Sequence, residues 1–269
     1  MTDIQQIERE MLTVFVDICQ RLGLRYYLVC GSALGAVKYG GFIPWDDDID
    51  AALPRGDYER FLSEAPGLLP GYLFLQNYRS DPAFPQIYSK LRHSGTTCIE
   101  ESAKALPIHH GIAMDIFPLD GYPEGRLAQC KLEAGKRWYR RLLNTAFREP
   151  EGLRHRWEYR VKRLLGFHRR SAAIAKKLDA LLRRDPPENS RLWCNHGNWQ
   201  GTLDYAPCDW FGAGTEAVFE GLTVVIPTEY HRYLTQKYGD YQKDPPPEKQ
   251  KSHHSYTVVD CRRPFTDHR

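Results

Sequence analysis

The stretch Asp46-Asp47-Asp48-Ile49-Asp50-Ala51-Ala52-Leu53 constrains this chain more than any other part of it. Acidic and apolar positions alternate there, which predicts a strand with one polar and one buried face. Side chains reverse direction at every residue, so Asp48 and Asp50 share a face about 6–7 Å apart, at a strand rise of about 3.3 Å per residue. Asp46 has the same parity. Carboxylates so placed repel one another unless a cation lies between them, and a hard divalent ion with oxygen ligands, Mg²⁺ or Mn²⁺, meets that need. The competing reading is a solvated acidic loop, which would rarely set Ile49, Ala51, Ala52 and Leu53 in strand alternation with the acids.

Just upstream, Arg25-Tyr-Tyr-Leu-Val-Cys30 is rich in β-formers and ends at Gly31-Ser32, predicting a buried strand that runs into a turn. Glycine lets a backbone approach closely, and N–H groups at a strand-to-helix turn bind phosphate. Gly31 and Ser32 are therefore candidate phosphate ligands. Helices are expected over 4–22, 33–39, 55–62 and 228–238, strands at 72–77, 86–92 and 112–117, and a hairpin over 218–226 with Gly221 at its turn. Residues 126–184 read as basic helices holding roughly half of the chain's 37 Lys and Arg with only a handful of acids. The expected architecture is one α/β unit: a core over 1–125, a basic helical insertion over 126–190 and a C-terminal part over 191–269 that returns to the core.

The net charge of +3 and 42% hydrophobic residues are those of an ordinary globular chain. No apolar run is long enough to span a bilayer and the polar N-terminus lacks a signal-peptide core. A cytoplasmic protein is expected, with the basic helices either a plain solvated face or a contact to an anionic glycan or to the inner face of the membrane. No nucleic-acid motif accompanies the charge, so no nucleic-acid partner is expected.

The run from Gly31 to Asp50, Gly-Ser-Ala-Leu-Gly-Ala-Val-Lys-Tyr-Gly-Gly-Phe-Ile-Pro-Trp-Asp-Asp-Asp-Ile-Asp, resembles the signature of the LicD family of phosphocholine transferases, a region shared by fukutin-type proteins. The likeness continues through Ala51–Phe61, Lys90-Leu-Arg92, Met114–Asp120, Phe219-Glu-Gly221, Val225-Ile-Pro227, Tyr238–Tyr241 and His253-His254. It implies a nucleotidyltransferase-like mixed sheet flanked by helices, with the glycine-serine turn on phosphates and the acids on metal. Asp115 matches the family's third carboxylate, and a lone Asp in the apolar frame Ile112–Phe117 needs a metal, a proton or a partner. The resemblance thus implies Asp48, Asp50 and Asp115 as catalytic residues, with Asp46 completing the metal ligands. Asp120 is the rival for the third carboxylate, but beyond Pro118 it is placed in a loop. The implied donor is CDP-choline or a similar CDP-linked compound, and the implied acceptor a hydroxyl of a surface glycan or its lipid-linked precursor.

Lys90 and Arg92 share a face of one predicted strand and serve as phosphate clamps or as a solvated face; Lys38 and Arg55 flank the acids with the same two readings. Trp45, with Trp193, Trp199, Trp210 and Phe211, offers aromatic faces for a quaternary ammonium, or simply core. Each of the pairs His109-His110 and His253-His254 offers one side chain to bind phosphate or orient an acid. Two other functions share this apparatus: a nucleotidyltransferase adding NMP to a small acceptor, and a non-catalytic glycan-binding relative.

Overall fold

The computed structural model describes residues 1–147, 153–198, 200–252 and 254–268. Helix α1 (Asp3–Leu22) starts at a reciprocal cap, Thr2 Oγ1 accepting from Gln5 N while the Gln5 side chain accepts from Thr2 N, and stops at Gly23 in the left-handed region, φ 62°. Strand β1 (Tyr27–Leu28) passes directly into α2 (Cys30–Lys38), and β2 (Asp50–Pro54) into α3 (Arg55–Glu64). Strands β3 (Leu73–Gln76), β4 (Ser89–His93), β5 (Thr97–Glu100) and β6 (Ala113–Gly121) follow. Helices α4 (Arg126–Leu143), α5 (Leu153–Leu164) and α6 (Ser171–Leu182) occupy the basic stretch. The chain then adds β7 (Leu192–Asn195), β8 (Tyr205–Pro207), α7 (Cys208–Phe211), β9 (Thr215–Phe219), β10 (Leu222–Ile226), α8 (Tyr230–Tyr238) and β11 (Tyr256–Asp260).

The spine of the mixed sheet is β6. Strand β2 lies parallel along one edge, and the other edge is shared by antiparallel β4, against residues 113–116, and β7, against residues 119–121. β1 extends the sheet beyond β2, β3 beyond β4, and β8 beyond β7. Flanking helices complete an α/β fold of the class expected. Strands β7 and β8 come from beyond the basic helices, so the last part of the chain completes a sheet begun by the first, and β11 pairs with β5. Helix α1 lies on the sheet with Met11, Leu12, Phe15 and Ile18 buried, Phe15 meeting Tyr26 and Phe61 at 5.3 Å between ring centres. Burying side chains of this size contributes about 1.5–3 kcal/mol each. A second core, Leu132, Leu142, Ile174 and Leu178 with Ile87, joins the basic helices to the rest. Among the described residues no helix is long and apolar enough to cross a membrane.

Two local expectations are corrected. The strand begins at Asp50, not Asp46: residues 46–49 form an irregular lead-in, where the Gln5 amide donates to Asp46 O at 2.8 Å and Asp47 N to Asp46 Oδ1 at 3.3 Å. Polar side chains there compete for the backbone groups a ladder would use. Asp120 is within β6, not in a loop, and its side chain is fully buried. Pro118 is tolerated because it falls at the seam where β4 has ended and β7 has not begun, so its missing N–H breaks no rung on that edge.

Candidate functional site

Register brings the chemistry together. On β2, β6 and β4, which lie side by side, Asp50 is opposite Asp115 and Asp115 is opposite Lys90. Directly opposed residues project to the same face of a sheet, so a row of two acids and one ammonium crosses three strands. Lys90 Nζ bonds Asp115 Oδ1 at 2.8 Å and lies 3.6 Å from Glu100 Oε1. These acids outweigh the desolvation that burial imposes, and the lysine is held more basic than usual.

The lead-in carries Asp46 and Asp48 to the same place. Asp50 N donates to Ser32 Oγ at 2.8 Å and Val29 N to Asp50 O at 3.0 Å, clamping the lead-in to the start of α2. Gly31 and Ser32 form the first turn of that helix, and the chain enters it through Cys30 at φ 51°, a left-handed conformation rare for a side-chain-bearing residue. No side chain caps α2. A methyl group on Gly31 would lie 2.9 Å from Asp46 Oδ2, so only glycine lets this carboxylate rest against the helix start.

The acids disturb one another. Burial and then Asp48 push the Asp46 carboxyl up to about 7; burial, Asp48, Asp115 and Asp46 hold Asp50 well above the usual range. Asp115 is raised by burial against the pull of Lys90. Asp48 goes the other way: burial opposes its charge, but His254 Nε2 at 3.0 Å outweighs it, and this bond raises the histidine to about 9. Ser252 Oγ donates to Asp47 Oδ1 at 2.7 Å, so the segment before β11 lies over the acids.

A cavity of about 20 Å³ remains, lined by Glu8, Asp47, Asp48, Lys90, Asp115 and His254 among others; that is room for little more than one water. Glu8 was not singled out by the sequence reading. It is 2% exposed, its Oε2 has no hydrogen-bond partner among the described residues, and burial, followed by Asp48, Asp47 and Asp115, keeps it well above the ordinary carboxyl range. The available signal was an acid inside the apolar stripe of α1, four residues after Ile4 and four before Leu12.

Other predicted residues are placed differently. Arg92 borders the cavity but donates to Gln76 Oε1 at 2.8 Å and Gly111 O at 2.7 Å. Lys38 donates to Asp244 Oδ1 at 2.6 Å and Tyr241 O at 3.2 Å, and Trp45 is half-buried edge-on to Tyr39. Arg55 is not at the acids: its guanidinium is buried against Asp120 and Asp179, because β2 ends at Pro54 and turns the residue toward α6. Trp193 and Phe211 are core residues 5.3 Å apart between ring centres, with Trp193 Nε1 bonded to Pro187 O, so they form no open cage. Trp199 and His253 lie outside the described residues. A separate cavity of about 710 Å³, bordered by Lys104, Phe147, Tyr159, Arg163 and Arg169, contains none of the clustered acids.

The donor set suits a hard cation: oxygen ligands only, several raised by burial and then by one another, and a glycine that makes room for one of them. Lys90 and His254 supply part of the counter-charge, and among the described residues no three His, Cys, Asp or Glu side chains already converge as a metal-binding group.

Residues 23–86 match a family described as LicD/FKTN/FKRP, nucleotidyltransferase domain. The lipopolysaccharide cholinephosphotransferase LicD of Haemophilus influenzae is 29% identical over 268 residues, covering 91% of this chain and 92% of that protein. The ribitol 5-phosphate transferases FKRP of mouse and human are each 42% identical over 45 residues, 17% of this chain and 9% of theirs.

Proposed function

From the match of residues 23–86 to the LicD/FKTN/FKRP nucleotidyltransferase domain and the full-length likeness to LicD, we propose that the chain is a phosphotransferase moving a phospho-headgroup, phosphocholine or a close analogue, from a CDP-linked donor to a glycan hydroxyl. The row Asp50–Asp115–Lys90, with Asp46 and Asp48 beside the start of α2, is the observation that supports this most. It joins acids able to share a cation to a helix N-terminus, where phosphate is favoured.

Asp46, Asp48 and Asp50 would hold Mg²⁺ or Mn²⁺, with Asp115 as a further ligand. The ion's chemistry here is to neutralise the diphosphate and polarise the bond that breaks. In the transfer, the acceptor oxygen bonds to the phosphorus bearing the headgroup, the phosphorus–oxygen bond to CMP breaks, and CMP leaves. The alternative role for Asp115, instead of ligating the ion, is that of general base: held near the ammonium of Lys90, it takes the acceptor's proton. Lys90 is the phosphate-facing cation, whereas Arg92 is taken up by Gln76 Oε1 and Gly111 O. Ser252 and His254 bind Asp47 and Asp48, so the segment before β11 borders the acids where the donor's phosphates would come.

The test is a donor screen with purified protein and Mg²⁺. Release of CMP from one CDP-linked alcohol, abolished by EDTA, is the expected result. Pyrophosphate release with a nucleotide mass added to the acceptor would instead make the protein a nucleotidyltransferase, and no turnover of any donor with glycan acceptors present would sink the reading.

A second expectation concerns Gly31→Ala. The backbone there is ordinary helix, so the fold should hold and the melting temperature should stay close to wild type, while the methyl group pushes Asp46 aside. Misplacing a reacting group by about 1 Å costs about 10²-fold in rate, and CMP release should fall by that order. Wild-type turnover in the folded variant would show that Asp46 has no part in the chemistry.

A further inference from the structure

The basic insertion carries an outer surface that the proposed chemistry does not use. Trp157 is 73% exposed, Trp138 56% and Leu164 89%, and Leu127 and Leu165 are also exposed. On α4 these residues follow helical spacing: Leu127, Lys131, Ala134, Trp138 and Arg141 are all exposed at i, i+4, i+7, i+11 and i+14. Trp157, Arg160 and Leu164 repeat the pattern on α5. Large apolar side chains are thus interleaved with cations along an exposed stripe of each helix, the α4 stripe lying away from Leu132, Leu142 and Leu143, which pack into the second core.

Among the described residues the acids on α4, α5 and α6 are each engaged by a partner. Glu133 is bound by Lys136 and Tyr205, Asp179 by Arg55 and Tyr78, and Glu158 by Lys162. Arg126, Lys131 and Arg141 have no acidic partner among the described residues. A solvated surface would place polar residues where these tryptophans and leucines stand, and a site for a small anion would have no use for them. Tryptophan and leucine beside Lys and Arg suit the boundary between acyl chains and anionic headgroups, where rings and alkyl chains leave water while the cations stay among phosphates.

We propose that the outer face of α4 and α5 is a docking surface for an anionic phospholipid bilayer. It engages the membrane peripherally, with Trp138, Trp157 and Leu164 entering the interface and the neighbouring cations held at the headgroups. This does not depend on which headgroup the protein transfers.

The full chain would be mixed with vesicles of phosphatidylcholine alone and of phosphatidylcholine with phosphatidylglycerol, then followed by sedimentation and tryptophan emission. The expected result is co-sedimentation with the anionic vesicles, weakened by salt, with a blue shift of the emission. A Trp138→Ala, Trp157→Ala, Leu164→Ser variant should lose about tenfold or more of that partitioning while keeping its circular dichroism. Lys131→Glu with Arg141→Glu should lose it also, and more completely at low salt. Absence of binding to anionic vesicles overturns the proposal, as does binding that the apolar variant leaves unchanged. A dimer in light scattering that the same variant dissolves would overturn it in favour of a second copy of the chain.

Discussion

Asp50→Asn is expected to reduce headgroup transfer by about 1,000-fold or more, the scale of losing a preorganised charge at a reacting centre, without loss of stability. Its carboxylate is half-buried, lies opposite Asp115 in the sheet, and is raised by desolvation and then by Asp48, Asp115 and Asp46, so ionising it costs the folded protein free energy. An amide of the same shape removes that repulsion, and its backbone N–H still donates to Ser32 Oγ. The melting temperature at neutral pH should equal or exceed that of the wild type. Asp48→Asn should cost as much activity but also some stability, because it removes the ion pair with His254. CMP release and thermal unfolding on the same samples decide the matter. A folded Asp50→Asn protein working within about tenfold of wild type, a difference of about 1.4 kcal/mol in barrier, would remove this residue from the chemistry.

Arg55→Leu is expected to do the opposite: to damage the fold and spare the site. The guanidinium binds Asp120 through two bonds of 2.7 and 2.6 Å, and Asp179 on α6 at 2.9 Å. One side chain therefore joins α3, β6 and the helical insertion. Asp120 is fully buried, and removing its partner leaves an uncompensated charge, which costs about 3–5 kcal/mol. At about 2–4 °C per kcal/mol for a chain of this size, the melting temperature should drop by roughly 10 °C or more. Pairing Arg55→Leu with Asp120→Leu should recover a good part of the loss, since an apolar pair has no charge to strand. Urea unfolding of the two variants is the measurement. Turnover per folded molecule should stay near wild type below the transition. A selective loss of donor affinity in Arg55→Leu, with stability intact, would return Arg55 to the phosphate-clamping role its place in the sequence suggested.

Both expectations show where sequence reading succeeds and where it stops. Asp115 was legible because an acid in the apolar frame Ile112–Phe117 has few physical excuses, and it does lie opposite Asp50. Strand parity left Lys90 with two readings, phosphate clamp or solvated face, and the fold sets its ammonium against Asp115. Arg55 was not, because a cation next to an acidic strand looks the same whether it turns toward the acids or away from them. Its true partners are 65 and 124 residues downstream. Glu8 was overlooked for the same reason: it sits 38 residues from Asp46, the nearest clustered acid in sequence, and only folding α1 across the sheet makes it their neighbour. The strand boundary was missed because alternation predicts side-chain direction, whereas hydrogen-bond partners decide where pairing begins.

Local pattern therefore determined which acids and cations were candidates for the site and most of the elements that carry them, since periodicity, turn glycines and acid spacing act within a few residues. Tertiary structure alone decided which charges meet. Register across β2, β6 and β4, the docking of α1 and the return of the chain through β11 depend on contacts far apart in sequence, and an ion pair forms only between groups that such contacts bring within a few ångströms.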